Sequence, residues 1–366
     1  MEYLDRYENF LIQNATQITT FESSLRSLTY ILPGRFHDAE FASQAVYAAL
    51  NLIGVYHTSI LRRAAQHKAK ELGQPELAQD SAFNKYILFW KQRSRWNKTA
   101  TTFLTVIAYT QVLIEMGVRK KWGKRAQWKI IALLEAVKAL LRLGLLKTTE
   151  DRMTLSPTHL QRDVDPATLE SNATKQRPQH SNYHGERTGN EWTSMTDSFS
   201  LDKRDKFDDI DAFLMKKVLT PEKLRQPPQM THVLSHLGNL GELLYILRPL
   251  IYVLCILKYG QRSWKPWIFS LVAELGSQAA LRKAFTLDDQ SGHTTMMPLE
   301  KQEMGRRSQQ LWFNLVRGAF YSQITRPKLE QYCNRLESKP ILHLAAGVLR
   351  DYLPLWENIY FYTSSS

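Results

Sequence analysis

Apolar positions recur every three or four residues along most of this chain, which is the spacing of one face of an α-helix. The pattern predicts a helix over residues 19–31 and a longer helix from about residue 38 to residue 70. The later part of the chain has the same spacing, with predicted helices over residues 244–257, 312–320 and 342–348. No stretch favours strands, so the sequence predicts an all-α fold.

Composition divides the chain into three regions. Residues 154–200 contain only five Leu, Ile, Val or Phe among 47 residues, together with thirteen Ser or Thr. So low an apolar content cannot bury enough surface to build a core. We therefore expect two helical regions, residues 1–147 and 206–366, joined by a disordered polar linker over residues 148–205 that forms no secondary structure.

Three apolar stretches approach the length of a membrane-spanning helix, which is about 20 residues. Residues 99–118 and 130–146 both carry charged side chains, and residues 240–257 are the most apolar, although Arg248 and Pro249 divide them. A central arginine costs roughly 2.5–3.5 kcal/mol on insertion scales, which the surrounding Leu and Ile offset only narrowly. The sequence therefore leaves open spanning helices, surface-lying helices and the core of a soluble bundle.

Charged residues inside these stretches would have to face protein rather than lipid if the stretches entered a membrane. For Arg248 we expect a pairing with Glu242 or with a residue of another helix. The predicted intramembrane polar residues are Glu115, Glu135 and Arg248.

Basic residues outnumber acidic ones, with 48 Lys and Arg against 35 Asp and Glu and a formal net charge of +13. Most of the excess lies between residues 91 and 129, which hold ten basic residues and one acid. Lys and Arg interleaved with Trp are typical of a membrane interface. Because both flanks of residues 99–118 are basic, a re-entrant or surface-lying helix suits them better than a crossing. The predicted interface residues are Arg93, Arg95, Lys98, Arg119, Lys120, Lys121, Trp122, Lys124, Arg125 and Trp128.

Basic tracts also occur in nucleic-acid-binding proteins. Here the tracts lie beside long apolar helices and match no binding motif, so we expect no nucleic-acid partner.

Motifs for catalysis or phosphate binding are not found in the sequence. His232 and His236 have i,i+4 spacing, which would place both imidazoles on one helical face, but no third metal ligand accompanies them. Cys255 and Cys333 lie in no Cys-x-x-Cys pattern, and a reducing compartment is expected. We predict no enzyme activity, no cofactor, no metal site and no small-molecule substrate.

Longer motifs carry a family resemblance from about residue 30 to residue 363. They occur in order and resemble the peroxin-16 family of peroxisome-assembly membrane proteins. The motifs are Tyr30-Ile-Leu-Pro-Gly-Arg-Phe36, Glu115-Met-Gly-Val-Arg-Lys-Lys-Trp-Gly123, Arg248-Pro-Leu-Ile-Tyr252, Ser263-Trp-Lys-Pro-Trp267 and Tyr360-Phe-Tyr-Thr363.

The resemblance implies a protein of the peroxisomal and endoplasmic reticulum membranes with two membrane segments and cytosolic termini. It implies a docking factor for targeting and insertion of peroxisomal membrane proteins, with peroxin-3 and peroxin-19 as partners. By position, the family's targeting region corresponds to Arg62, Arg63, Lys68 and Lys70. The basic amphipathic helices also favour an alternative, a peripheral protein that organises membrane shape or peroxisome division.

Overall fold

A computed structural model describes residues 2–31, 39–71, 80–164, 166, 183–184, 191–192, 225–287, 296–337 and 342–355. Helices dominate this part of the chain, which confirms the predicted all-α class. They are α1 (Glu2–Gln13), α2 (Ala15–Ile31), α3 (Ala39–Glu71), α4 (Ala82–Arg93), α5 (Arg95–Thr148), α6 (His236–Tyr259), α7 (Trp264–Leu287), α8 (Pro298–Gln310), α9 (Gly318–Phe320), α10 (Arg326–Glu337) and α11 (Leu342–Leu355).

The longest helix, α5, consists of two antiparallel arms. Gly123 interrupts it with φ 80° and ψ 179°, a backbone conformation essentially restricted to glycine. Residues 95–122 form the first arm and residues 124–148 the second. The arms meet along their length, and midway Lys138 donates to Gln111 (Nζ to Oε1, 2.8 Å). We call this pair the first hairpin.

Helices α6 and α7 form a second hairpin, closed by a short turn after Tyr259. Arg248 of α6 pairs with Glu274 of α7, and Gly238 of α6 lies against Ala284 of α7. These contacts show that the two helices run in opposite directions.

The two hairpins pack side by side with their tips at the same end. Ile131, near the start of the second arm, shares a core cluster with Val253 and Ile256 near the end of α6. Farther along the arm, Ala139 meets Ile246, so the second arm and α6 are also antiparallel. Gly123 and the turn between α6 and α7 therefore project from the same end of the bundle, which we call the tip end.

Helices α2 and α3 continue the same up-and-down order beside the first arm. Glu22 of α2 contacts His57 of α3, and Phe41 near the start of α3 approaches Gly117 near the end of the first arm. Beyond α7, α8 and the 3-10 stretch Leu311–Val316 run back along α7. Short connections between amphipathic helices favour such an antiparallel array.

Residues 151–164 cross one face of this array without forming a helix, and we call them the strap. Thr154 contacts both Glu242 of α6 and Arg307 of α8. Farther along, the hydroxyl of Thr158 lies 3.2 Å from that of Thr105 in the first arm. The strap therefore joins helices from both ends of the chain.

The far end of the strap is held by α4 and α2. Asn84 of α4 donates to the backbone oxygen of Gln161 (2.8 Å), and Arg162 pairs with Glu22 (3.1 Å). The linker was predicted to begin at residue 148, but the strap over residues 151–164 is held against the helices. Its start was predicted too early because the polar side chains of the strap have partners on the helices.

Other described residues of the predicted linker include a short antiparallel pair of strands, β1 (Tyr183–His184) and β2 (Glu191–Trp192). The prediction that the linker forms no secondary structure is wrong for these four residues. The remaining linker residues from 167 to 205 lie outside the described residues.

The two predicted helical regions share their cores. One cluster combines Tyr86 and Trp90 of α4 with Leu155 of the strap, Met230 of the 3-10 turn Pro227–Met230, and Leu299 of α8. Burial of apolar surface, rather than proximity along the chain, assembled this cluster.

Two predicted helices differ locally from the structure. Residues 312–320 do not form one α-helix: the 3-10 stretch ends at Val316, Arg317 is extended, and α9 begins at Gly318, whose φ is 61°. Phe21 is one of the apolar positions whose spacing predicts the buried face of α2, but it is 64% exposed, whereas Glu22 is buried. Glu22 turns inward because His57 and Arg162 supply the partners that a buried carboxylate needs.

Candidate membrane-facing site

Basic side chains from both hairpins converge at the tip end. Six lie around Gly123, and three more lie in the last turn of α6 or just after it, although more than 120 residues separate the two groups in the sequence. No acidic residue lies between Glu115 and Glu135 or between Glu242 and Glu274. The basic tip residues are Arg119, Lys120, Lys121, Lys124, Arg125, Lys129, Lys258, Arg262 and Lys265.

Aromatic rings accompany these cations. Trp122 is 62% exposed, and the ammonium of Lys121 lies 4.9 Å from its ring centre. On the second hairpin, the ring of Tyr259 lies between Lys258 and Lys265, at 5.4 and 4.8 Å. Amphipathic rings beside cations are enriched at the level of lipid headgroups.

Apolar side chains are exposed on the face of the array that lies away from the strap. At 3.6 residues per turn, they lie roughly half a turn from the residues of the same helix that contact the strap or the neighbouring helices. Each is between 36% and 68% exposed. We call this surface the apolar face; its residues are Phe103, Ile114, Leu133, Val137, Leu140, Leu240, Leu244, Leu254, Ile268 and Val272.

The opposite face is polar because the strap and α8 cover it. Arg307 of α8 is fully buried there, where it contacts Glu242 (2.7 Å) and Glu303 (3.0 Å). An exposed apolar surface of this kind is typical of proteins that contact a membrane or a partner through it.

This asymmetry bears on how the array meets a bilayer. The strap crosses the first arm near Thr105 and Tyr109, which is roughly 20–25 Å along the helix from Trp122. An upright hairpin would therefore place an extended polar chain inside the hydrocarbon core. Non-helical backbone is tolerated at that depth only where protein or water surrounds it, so the geometry favours helices that lie in the membrane plane.

One described helix, α6, is long and apolar enough to cross a membrane by length and composition, and half of its most apolar stretch is buried within the protein. A core helix of a water-soluble bundle has the same properties.

The predicted interface residues separate into two groups. Arg119, Lys120, Lys121, Trp122, Lys124, Arg125 and Trp128 belong to the tip end, whereas Arg93, Arg95 and Lys98 lie at the opposite end of the first hairpin. Arg93 pairs there with Glu150 (2.8 Å). The apolar face runs between the two basic groups.

The predicted intramembrane polar residues are all buried and contact protein. Glu115 and Glu135 lie between the arms of the first hairpin, where both accept from Gln111 (2.8 and 3.3 Å). Arg248 pairs with Glu274 at 2.5 Å. The expectation that Arg248 pairs with another helix is confirmed; Glu242, the other predicted partner, binds Arg307 instead.

The predicted targeting residues contact the protein itself. Both guanidinium donors of Arg62 bind Asp80 at 2.7 Å, and Arg63 pairs with Glu8 at 3.0 Å. Lys68 is half-buried and Lys70 is exposed. Their role in docking stays a prediction.

Sequence reasoning did not identify Lys258, Arg262 and Lys265 as part of the basic site. The motif Ser263-Trp-Lys-Pro-Trp267 offered a signal, because Trp and Lys alternate there as they do near Gly123. Only the antiparallel packing of the second arm on α6 shows that the two segments are neighbours.

The two histidines do not share a helical face. His236 begins α6, but His232 precedes the helix and contacts Glu300 of α8 (Nδ1 to Oε2, 2.9 Å). Within the described ranges, no group of three metal-binding side chains occurs.

An apolar face bordered by basic and aromatic side chains is typical of helical proteins that associate with membranes. A family model described as peroxisomal membrane protein (Pex16) matches residues 5–358. The chain therefore belongs to the Pex16 family of peroxisomal membrane proteins, which are peroxisome biogenesis factors and not an enzyme family.

Relatives support this assignment along the whole chain. Peroxisome biogenesis protein 16 of Arabidopsis thaliana is 24% identical and covers 99% of this chain and 100% of its own length. Peroxisomal membrane protein PEX16 of Schizosaccharomyces pombe is also 24% identical, with 93% of each chain covered. Peroxisome biogenesis factor 16 of Dictyostelium discoideum is 36% identical over 35% of this chain and 31% of its own. No solved structure matches this chain.

Proposed function

We propose that the protein lies face-on in the cytosolic leaflet of the peroxisomal membrane and acts there as a docking factor for newly made peroxisomal membrane proteins. The observation that carries the proposal is the apolar face, with basic residues at both of its ends. Both termini and the strap then stay on the cytosolic side. We propose the same face-on orientation at the endoplasmic reticulum, because its cytosolic leaflet also presents lipid headgroups over a hydrocarbon core.

Charge and apolar area both favour this face-on orientation on the membrane. Buried apolar surface contributes about 25 cal/mol per Å², and each basic residue near an anionic leaflet adds about 1 kcal/mol. Because the basic residues lie at both ends of helices in the plane, all of them reach headgroups at once. An upright hairpin would instead carry the nine tip cations across the bilayer.

Labelling of two engineered cysteines separates the two orientations. Lys121→Cys lies at the tip end and Lys98→Cys at the opposite end, each introduced into a chain carrying Cys255→Ser and Cys333→Ala. In sealed organelles, a membrane-impermeant maleimide should label both positions if the helices lie face-on. Protection of Lys121→Cys until detergent is added would show that the hairpins span and would overturn the face-on orientation.

Variants of the apolar face test whether this face attaches the protein to the membrane. Leu133→Ser, Leu140→Ser and Val272→Ser combined should release the protein from membranes during alkaline carbonate extraction. Phe21→Ser is the matched control, since Phe21 is equally exposed but lies on α2, outside the apolar face. Equal retention of the triple variant and the control would contradict the proposal.

Docking requires partners, and we propose peroxin-3 as the membrane partner and, through it, peroxin-19 as the cargo receptor. The family membership and the free strap side of a face-on protein support this assignment. Cells that lack the protein should fail to insert peroxisomal membrane proteins, and the variant that combines Leu133→Ser, Leu140→Ser and Val272→Ser should fail to rescue them. Normal insertion in deleted cells would refute a docking role.

A second candidate function follows from the width of the apolar face. Four adjacent helical segments that enter one leaflet would expand it, which favours membrane bending during peroxisome division. If this function dominates, deletion should change peroxisome number and size while membrane-protein insertion stays normal. Reversal of charge at Lys120, Lys121, Lys124 and Arg125 should then reduce binding to anionic vesicles together with division.

A further inference from the structure

A cavity of about 350 Å³ lies beneath the strap, where both hairpins meet α8. Its volume falls within the roughly 300–1,000 Å³ of typical ligand sites. The first arm contributes Thr105 and Tyr109, the second arm Lys138 and Arg142, the strap Ser156 and Thr158, α6 Tyr245 and α8 Arg306.

Three cationic side chains line this cavity, and no carboxylate does. The charges of two of these cations are balanced by carboxylates that do not line the cavity: Lys138 pairs with Glu135, and Arg306 pairs with Glu303 (2.5 Å). Arg142 is different: among the described residues it has neither a hydrogen bond nor an ion pair. It is half-buried, so solvent compensates its charge only in part.

A second cation without a hydrogen bond or ion pair in the described part of the chain lies nearby. Lys91 lines an adjoining slot that shares Arg142, Ser156, Thr158 and Tyr245 with the cavity. Burial and the neighbouring Lys98 lower the pKa of Lys91. Burial and Lys91 likewise lower the pKa of His159 in the cavity wall. Burial is the larger cause of both pKa shifts, and a neighbouring cation adds to each.

Neutral donors complete the lining. Five residues with hydroxyl groups line the cavity, and among them Tyr109 bonds His159 and Tyr245 bonds Gln310. They are Thr105, Tyr109, Ser156, Thr158 and Tyr245. Guanidinium, ammonium and hydroxyl donors around one space match the oxygens of a phosphate, and the planar guanidinium of Arg142 suits two of them at once.

A neighbouring cavity of about 300 Å³ lies on the other side of the Tyr109–His159 hydrogen bond. It holds Arg26 and Arg162, but Glu22 also lines it and pairs with Arg162. Its positive charge is therefore partly balanced, which makes it the weaker candidate for an anion.

We infer that the cavity beneath the strap binds a phosphate monoester, with Arg142 as its principal ligand. A phosphate monoester reaches the cavity either as a free compound or as the headgroup of phosphatidic acid. The inference does not rest on the docking role, because the cavity lies on the strap side and none of its residues belongs to the apolar face.

Purified full-length protein in neutral detergent tests the inference. Binding of glycerol 3-phosphate is followed by calorimetry, and binding of the lipid by flotation with phosphatidylcholine vesicles that contain or lack phosphatidic acid. We expect Arg142→Gln to weaken binding at least tenfold. Lys147→Gln, an exposed cation on the same arm outside the cavity, should leave binding unchanged and so controls for the loss of one positive charge.

Each result decides the matter. Arg142-dependent binding of glycerol 3-phosphate identifies a free compound, and Arg142-dependent binding of phosphatidic acid vesicles alone identifies the lipid. Lys91→Gln provides a second variant with the same expected direction. If neither probe binds, or if Arg142→Gln and Lys147→Gln weaken binding equally, the cavity is not a phosphate site.

Discussion

The two hairpins are built on the same plan, but their seams are held together differently. Between the arms of the first hairpin lie polar side chains, with Gln111 at the centre of contacts to Glu115, Glu135 and Lys138. The second hairpin instead brings small residues together: a Cβ on Gly241 would lie 3.0 Å from the backbone oxygen of Ser277. One seam is specified by hydrogen bonds and the other by close approach of backbones.

The two seams should therefore respond differently to substitutions. A polar seam tolerates adjustment of long side chains but not the loss of one partner, because a buried charge is then left alone. A small-residue seam tolerates no added volume, because backbone atoms cannot move aside. Arg248 and Glu274 form the exception, a single buried ion pair within the small-residue seam.

The largest effect is expected from that pair. Arg248→Met leaves the carboxylate of Glu274 buried without its cation and should lower the free energy of unfolding by about 3–5 kcal/mol. Urea denaturation of the detergent-solubilised protein, followed by circular dichroism, measures it. The double variant Arg248→Met with Glu274→Met should recover most of the loss. A single variant as stable as the parent would mean that the pair does not hold the second hairpin.

Close packing at Gly241 should give the next largest effect. Gly241→Val adds atoms against Ser277 and Leu281 of α7 and should destabilise by about 1–3 kcal/mol. Gly276→Ala is the control on the same hairpin, because nothing lies within 4 Å of its added Cβ. The same urea series compares them. Equal stability of the two variants would remove the small-residue explanation of this seam.

Reversal of the chain in the first hairpin depends on Gly123. Gly123→Ala forces a side chain into a conformation that favours glycine and should cost about 1–3 kcal/mol. Gly305→Ala is the control, since it adds a methyl group in open space within the regular helix α8 and should be neutral or slightly stabilising. Thermal unfolding of both variants checks the difference. An unchanged midpoint for Gly123→Ala would show that the arms are reversed without the glycine.

The smallest effect is expected at the open end of the first hairpin. Thr148 donates from its hydroxyl to Asn97 of the first arm at 2.5 Å. Thr148→Val removes this bond and should cost about 1 kcal/mol. Thr102→Val makes the same chemical change at an exposed position that bonds only within its own helix. If both variants lose the same stability, the inter-arm bond contributes nothing beyond helix propensity.

Sequence reasoning predicted the helices well where one face alone is buried. Apolar spacing over residues 38–70, 99–118, 130–146 and 244–257 appears in the structure as α3, the two arms of α5, and α6. It failed for residues 312–320, where Arg317 and Gly318 break the helix, and for the direction of Phe21. In both places a contact with another element outweighs the local pattern.

The strap is a second case in which long-range contacts overrule the sequence pattern, because an ordered segment was predicted to be disordered. Its composition resembles a linker, because Thr, Ser and Gln cannot form a core by themselves. Thr154 meets Glu242, and Gln161 meets Asn84, only after helices from both ends of the chain have packed. No spacing in the sequence indicates these pairs.

By itself, the sequence determined the helical class, the basic and tryptophan-bearing segments and the family. These properties depend on residue type and local periodicity, which are present before any long-range contact forms. The tertiary structure alone decided that the two basic tips are neighbours, that one face stays apolar and that a cationic cavity lies beneath the strap. Each of these requires antiparallel packing of helices more than 100 residues apart, and the burial that selects such packing acts on surfaces rather than on positions in the chain.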